Sequence, residues 1–170
     1  MMTGITGTPG TGKTSIAAEL ERRGHTVVRL ADTVRPYIIE EDCARQTLVV
    51  DVDLWAEEFE PIDGIVEGHL AHLLPCDRVV VLRCRPDVLR KRLGPRNYPP
   101  EKVAENAEAE ALDVILIETL DEHSDEHVFE VDTTDLSVEE CADRIEQIIR
   151  GELPPSCGSI DWTDYLEPGI

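Results

Sequence analysis

Residues 7–14 read Gly7-Thr8-Pro9-Gly10-Thr11-Gly12-Lys13-Thr14, which matches G-x-x-x-x-G-K-[ST]. Each part of that pattern has a reason in polyphosphate chemistry. Glycines let the backbone curl until successive N–H groups converge on phosphate oxygens. A helix starting at the same point adds its positive N-terminal end. Lys13 reaches the β- and γ-phosphates and the Thr14 hydroxyl suits Mg²⁺, with Ser15 adjacent for an α-phosphate contact. From this chain's own residue frequencies the pattern arises by chance on the order of one time in a thousand. The plain alternative is a glycine-rich turn that holds no nucleotide. A strand candidate before the loop and a helix candidate after it count against that.

A guanine-reading N-K-x-D tetrapeptide does not occur, and oligomeric ATPase machines are larger than 170 residues. The length suits a small phosphotransferase. Such enzymes act by positioning and by neutralising charge on the transferred group, so they need arginines converging on both substrates. Arg35, Arg92 and Arg96 are candidates. Each also reads as a surface arginine in an acidic protein, and Asp32 before Arg35 reads as a helix cap. Glu67 ends a predicted strand near the loop, where ligands bind in open α/β sheets. A carboxylate there holds Mg²⁺ directly or through water, since Mg²⁺ keeps much of its hydration. His69, two residues on, is placed to orient an attacking water; the simpler reading is a helix-start residue bonded to backbone. Glu67 likewise has a merely structural alternative.

The elements that must position these residues alternate. Strands are expected at Met2–Thr6, Thr26–Leu30, Gly64–Glu67, Arg78–Cys84 and His127–Val131. Between them, helices are expected at Ser15–Arg23, Asp53–Glu60 and Asp87–Leu93, and a single long one over about Glu101–Glu122. The last carries Val103, Ala107, Ala111 and Val114 at helical spacing. Leu48–Asp51 reads as a brief apolar piece, and Gly94–Pro100, with three prolines and a glycine, as irregular. Ser137 caps a final helix with Val138, Cys141, Ile145 and Ile148 as its stripe. Strands alternating with helices mean a parallel sheet covered on both faces. The expected fold is therefore α/β: a three-layer α/β/α P-loop domain on a five-stranded parallel sheet, over residues 1–151. Residues 152–170 form an acidic C-terminal tail, ordered if Trp162 and Tyr165 dock on the core.

The chain holds 16 Lys and Arg against 36 Asp and Glu, a net charge of −20. Tight unaided binding to nucleic acid needs cations that replace counterions at phosphates, so it is not expected. Only three of the basic residues are lysines (Lys13, Lys91, Lys102). An acidic surface poor in lysine fits work in high salt, where exposed charges are screened; an ordinary acidic cytosolic protein is the alternative. No segment approaches the ~20 apolar residues of a membrane span, and the start lacks a secretory pattern, so a cytoplasmic protein is expected. The five cysteines (Cys43, Cys76, Cys84, Cys141, Cys157) show no C-x-x-C spacing and read mostly as small core residues.

Taken in order, GTPGTGKT, Asp32-Thr-Val-Arg35, Val-Glu67-Gly-His69, Arg90-Lys-Arg92-Leu-Gly-Pro-Arg96-Asn-Tyr98 and Lys102…Asn106…Glu110 resemble one family. It is the small, atypical adenylate kinase family shared by archaea and eukaryotes. Its eukaryotic members are coilin-interacting nuclear ATPases of small ribosomal subunit maturation. The resemblance spans roughly residues 1–150 and leaves the tail outside. It implies an adenylate-kinase-like core with a short lid at about 95–105 and a monophosphate-binding segment at about 28–50. It implies ATP and AMP or another nucleoside monophosphate as substrates, Mg²⁺ as cofactor, and an additional ATPase activity. It also implies a part in late maturation of the small-subunit rRNA 3′ end, through a ribosomal protein of the subunit platform. By position, Gly10, Gly12, Lys13, Thr14 and Ser15 match the ATP-phosphate loop, Arg35 the monophosphate arginine, and Arg96 a lid contact to ATP. Glu67 and His69 match the acidic-x-His motif, where the eukaryotic branch usually has Asp. Two roles therefore stand side by side: a broad-specificity nucleoside monophosphate kinase, and a nucleotide-gated assembly ATPase whose acidic surface meets a basic platform protein. Another small-molecule P-loop kinase is the third.

Overall fold

The computed structural model describes residues 1–42 and 47–166. Its main sheet has five parallel strands in the order β2-β5-β1-β6-β7, formed by β1 (Met2–Gly7), β2 (Val27–Arg29), β5 (Gly64–Glu67), β6 (Arg78–Arg83) and β7 (Val128–Asp132). The apolar run of β6 pairs on one side with β1, Ile5 opposite Val80, and on the other with β7, Val81 opposite Glu130. A central strand covered on both faces reads as a continuous apolar run, and Val79 to Leu82 are all fully buried.

Alternate side chains of these strands feed two cores. On one face Ile5, Val80, Leu82 and Val131 pack against Ile16 and Leu20 of α1 (Lys13–Arg22) and Ile145 and Ile148 of α7 (Val138–Ile149). On the other, Val66, Val79, Val81 and Val128 pack with Trp55 of α3 (Val52–Glu58) and Leu116 of α6 (Val114–Glu122). Each such aliphatic side chain contributes about 1.5–3 kcal/mol of burial. These are the three layers expected. α7 starts with a full capping box: Ser137 Oγ accepts from the Glu140 amide at 3.1 Å, and the Glu140 carboxylate accepts from the Ser137 amide at 2.8 Å.

Several expectations are corrected. The helix expected over Glu101–Glu122 is two, α5 (Pro100–Ala111) and α6, broken where Asp113 takes a left-handed φ of 57°. The cause lies in β6. Buried Arg83 bonds the Asp113 carboxylate and, at 3.2 Å, the Glu110 carbonyl, which stands on the last turn of α5. Asp32 is not a cap: it sits inside the short helix α2 (Leu30–Thr33), whose N-cap position is Arg29. The apolar piece near Leu48 is strand β4 (Thr47–Val50), paired antiparallel with β3 (Ile38–Asp42), a hairpin with no expected counterpart for β3. Pro86 and Pro100 open α4 (Pro86–Leu93) and α5 rather than preceding them, since proline is tolerated in a first helical turn.

The tail runs beside the sheet edge. Ser156 bridges Phe129 in parallel fashion, and the Ser159 amide donates to the Glu130 carboxylate at 3.3 Å. Trp162 and Tyr165 meet edge to face, 6.1 Å between ring centroids, with Tyr165 still exposed. Cys76, Cys84 and Cys141 are buried, as expected of core cysteines, and Cys157 is half-buried; Cys43 lies outside the described residues. Among the described residues no helix is long and apolar enough to cross a membrane.

Candidate active site

β1 ends at Gly7 and α1 begins at Lys13, so residues 7–14 turn from strand to helix at the carboxyl edge of the sheet. Gly7, Gly10 and Gly12 all have positive φ, of 143°, 95° and 105°. A side chain at Gly7 would meet the Leu82 carbonyl at 2.6 Å, and one at Gly10 would meet Leu89 and Leu93 at 2.9 Å. The loop is thus pressed onto β6 and α4 by glycines that nothing larger replaces. Its polar atoms are tied from two sides. Thr8 Oγ1 donates to the Glu110 carboxylate at 2.6 Å, and Thr133 Oγ1 donates to the Thr11 carbonyl at 2.8 Å. Thr11 Oγ1 closes the turn onto the Thr8 carbonyl at 2.8 Å.

The Lys13 ammonium lies inside this curl, donating to the Gly7 and Thr8 carbonyls at 2.6 and 3.0 Å. Burial pushes its pKa down to about 8; Arg96 adds to the effect, while Glu67 and Glu110 oppose it. The cation is therefore desolvated and held by neutral carbonyls, which a charged phosphate oxygen outcompetes. Thr14 and Ser15 are exposed on the first turn of α1, where helix amides point outward without intrahelical partners.

Glu67 closes β5, directly beside Ile5 of β1 and Arg29 of β2 in register, and is only 6% exposed. Arg29 Nη1 lies 3.6 Å from its Oε2, beyond a hydrogen bond, and has no other partner. His69, exposed as a residue, stands just past Glu67, and desolvation of its imidazole, together with the charge of Lys13, pushes its pKa down to about 4. It is neutral at pH 7. Lys13 is thus the common neighbour: the charges of Glu67 and Arg96 act on it, and its own charge acts on His69. Arg96 is exposed at the end of a single 3-10 turn, Gly94–Arg96, followed by Asn97 in a left-handed conformation. Arg35 stands out in solvent, 76% exposed, 3.5 Å from Asp32. Arg92 is half-buried, and its guanidinium donates to Thr133 Oγ1 at 3.0 Å and to the Thr133 carbonyl at 2.7 Å.

The family model described as an AAA domain (AAA_18) matches residues 4–113. An Archaeoglobus fulgidus protein named "Putative adenylate kinase" is 49% identical over 100% of this chain and 96% of its own length. The chain belongs to this adenylate-kinase-like family. Relatives of the same name from Natronomonas pharaonis and Pyrococcus abyssi are 46% and 41% identical, each over 98% of this chain and over 100% and 94% of their own lengths. Two solved structures share the fold at low identity. A deoxyadenosine kinase from M. mycoides gives a TM-score of 0.60 at 16% identity, covering 90% of this chain and all of that one. The Bacillus subtilis YorR protein, solved with phosphorylated GDP, gives 0.58 at 15%, covering 89% and 97%.

Adenylate-kinase-like chains imply Mg²⁺, and the residues here fit it. The exposed Thr14 hydroxyl and the Glu67 carboxylate are hard oxygen donors, and Glu67 Oε2 has its nearest cation 3.6 Å away. Mg²⁺ binds through one or two protein oxygens together with phosphates and water, so two such donors suffice. In this family member, sequence reasoning missed the buried layer beneath the loop. Arg83, 1% exposed, meets the carboxylates of Glu110, Asp113 and Glu130. One signal was available: an arginine ending a strand of buried valines must find partners, because an unpaired buried charge is too costly.

Proposed function

We propose that the chain is a broad-specificity nucleoside monophosphate kinase that moves the γ-phosphoryl group of ATP onto AMP or a similar acceptor and hydrolyses ATP when no acceptor is bound. The observation that carries this is the Lys13 ammonium held inside the glycine curl, within electrostatic reach of Glu67, His69 and Arg96. Gly10, Gly12, Lys13, Thr14 and Ser15 bind the ATP phosphates. A phosphate oxygen replaces the Gly7 and Thr8 carbonyls on Lys13, and the ammonium then neutralises charge that grows on the transferring group. Arg96 comes in from the lid onto the same phosphates, and Arg35 binds the acceptor's phosphate. Both start from exposed positions, and closure of the lid over the substrates is part of the cycle. Mg²⁺ on Thr14, and on Glu67 directly or through water, supplies further charge neutralisation when bound. His69, with a pKa of about 4, is too weak a base to keep a proton at pH 7. Its neutral ring orients a water by hydrogen bonding, which accounts for hydrolysis.

A second reading has its own support. With a net charge of −20 the surface complements a basic protein, so nucleotide turnover here would gate binding to a basic ribosomal protein of the small-subunit platform during late rRNA maturation. One assay separates the two. ADP formation from ATP plus AMP is compared with phosphate release from ATP alone. Fast AMP-dependent ADP formation supports the kinase; hydrolysis indifferent to AMP supports the switch and sinks the kinase. Lys13→Ala abolishes both activities, and His69→Ala lowers hydrolysis more than transfer.

A further inference from the structure

The phosphate loop rests on a buried carboxylate from the far end of the lid helix. Glu110 is 2% exposed and stands on the last turn of α5, the helix that starts at Pro100 inside the lid segment. Its Oε2 accepts the Thr8 hydroxyl at 2.6 Å; its Oε1 accepts Arg83 Nε at 2.9 Å and the Cys84 amide at 3.0 Å. Thr8, itself 2% exposed, turns its carbonyl the other way, onto Lys13 Nζ at 3.0 Å and Thr11 Oγ1 at 2.8 Å. A continuous chain of bonds therefore runs from α5 through Glu110 and Thr8 to the ammonium that meets the phosphates.

Stability alone does not explain a carboxylate at this place. Buried ion pairs exchanged for well-packed apolar groups are often neutral or better for stability. What an apolar group does not supply is direction. A short bond to a charged acceptor fixes the rotation of the Thr8 side chain and with it the peptide whose oxygen holds Lys13. With nucleotide binding at this loop as proposed above, we infer that Glu110 is a positioning residue: through the Thr8 hydroxyl it sets the phosphate loop and ties the loop's geometry to the position of the lid helix.

The test is calorimetric titration of the full chain with ATP and Mg²⁺, together with AMP KM and a melting curve for each variant. Thr8→Val keeps shape and removes the hydroxyl; it should weaken ATP about tenfold or more, the worth of a hydrogen bond to a charged group, with the AMP KM unmoved. Thr8→Ser restores the hydroxyl and should bind ATP within about twofold of wild type. In the Thr8→Val background a further Glu110→Gln change should cost little additional ATP affinity, because the Thr8 hydroxyl is the link through which Glu110 acts on the loop. A folded Thr8→Val with wild-type ATP affinity overturns the inference, as does equal loss in Thr8→Val and Thr8→Ser, or additive losses in the double variant. Should Glu110→Gln not fold, the two Thr8 variants decide. Wild-type protein that binds no ATP would instead overturn the kinase reading, a different result from a wild type that binds and a Thr8→Val that binds equally well.

Discussion

Raising the pH through 8 should strip nucleotide from this protein, because the cation that grips the phosphates is held by burial at a pKa of about 8. In the free protein Lys13 is about nine-tenths protonated at pH 7 and about one-tenth at pH 9. A bound polyphosphate favours the charged form, so binding takes up a proton where the free amine is deprotonated. If the charged form alone grips, the apparent Kd for ATP rises about tenfold from pH 7 to pH 9. At pH 8 binding takes up about half a proton. His69 does not blur this window, since at a pKa of about 4 it is neutral throughout. Phosphate itself is nearly fully ionised above pH 8, its second pKa being about 6, so the change from 8 to 9 belongs to the protein. The assay is calorimetry of ATP binding at pH 7, 8 and 9 in pairs of buffers with different ionisation heats. The sign for the apo protein is opposite. Its folded pKa lies below the unfolded one near 10.5, so the unfolded chain binds more protons between about 8 and 10.5 and this group's contribution to stability grows with pH there. A Kd for ATP that stays level from pH 7 to 9, with buffer-independent heats at pH 8, would refute a desolvated Lys13 as the phosphate cation.

Other perturbations have defined outcomes. Arg83→Met leaves the Glu110 and Glu130 carboxylates buried without their cation and should cost about 3–5 kcal/mol in denaturant unfolding. The loss should shrink toward acid pH as Glu110, whose pKa burial already raises, takes up a proton. Gly10→Ala forces a methyl to within 2.9 Å of Leu89 and Leu93 at a φ of 95°, costing about 1–3 kcal/mol of stability and weakening ATP in the same titration. Added KCl should raise the melting temperature, because a net charge of −20 repels itself and salt screens it; full stability without added salt would count against this.

By itself the sequence determined the layers and the loop. Strand and helix periods are local properties, and the α/β/α order follows from their alternation. Gly7, Gly10, Gly12, Lys13 and Thr14 all lie within residues 7–14, so their spacing alone specifies a curl with a cation inside it. The Ser137 cap was legible for the same reason: Ser137 and Glu140 are three residues apart. Tertiary structure decided whatever depends on charges meeting over long separations. Apolar spacing continues smoothly across Asp113, yet the helix ends there, because Arg83, 30 residues earlier, draws Asp113 and the end of α5 toward β6. Thr8 meets Glu110 across 102 positions and Thr133 meets Thr11 across 122. No local propensity encodes those pairs; they exist because a right-handed parallel sheet brings the ends of β1, β6 and β7 together at one edge.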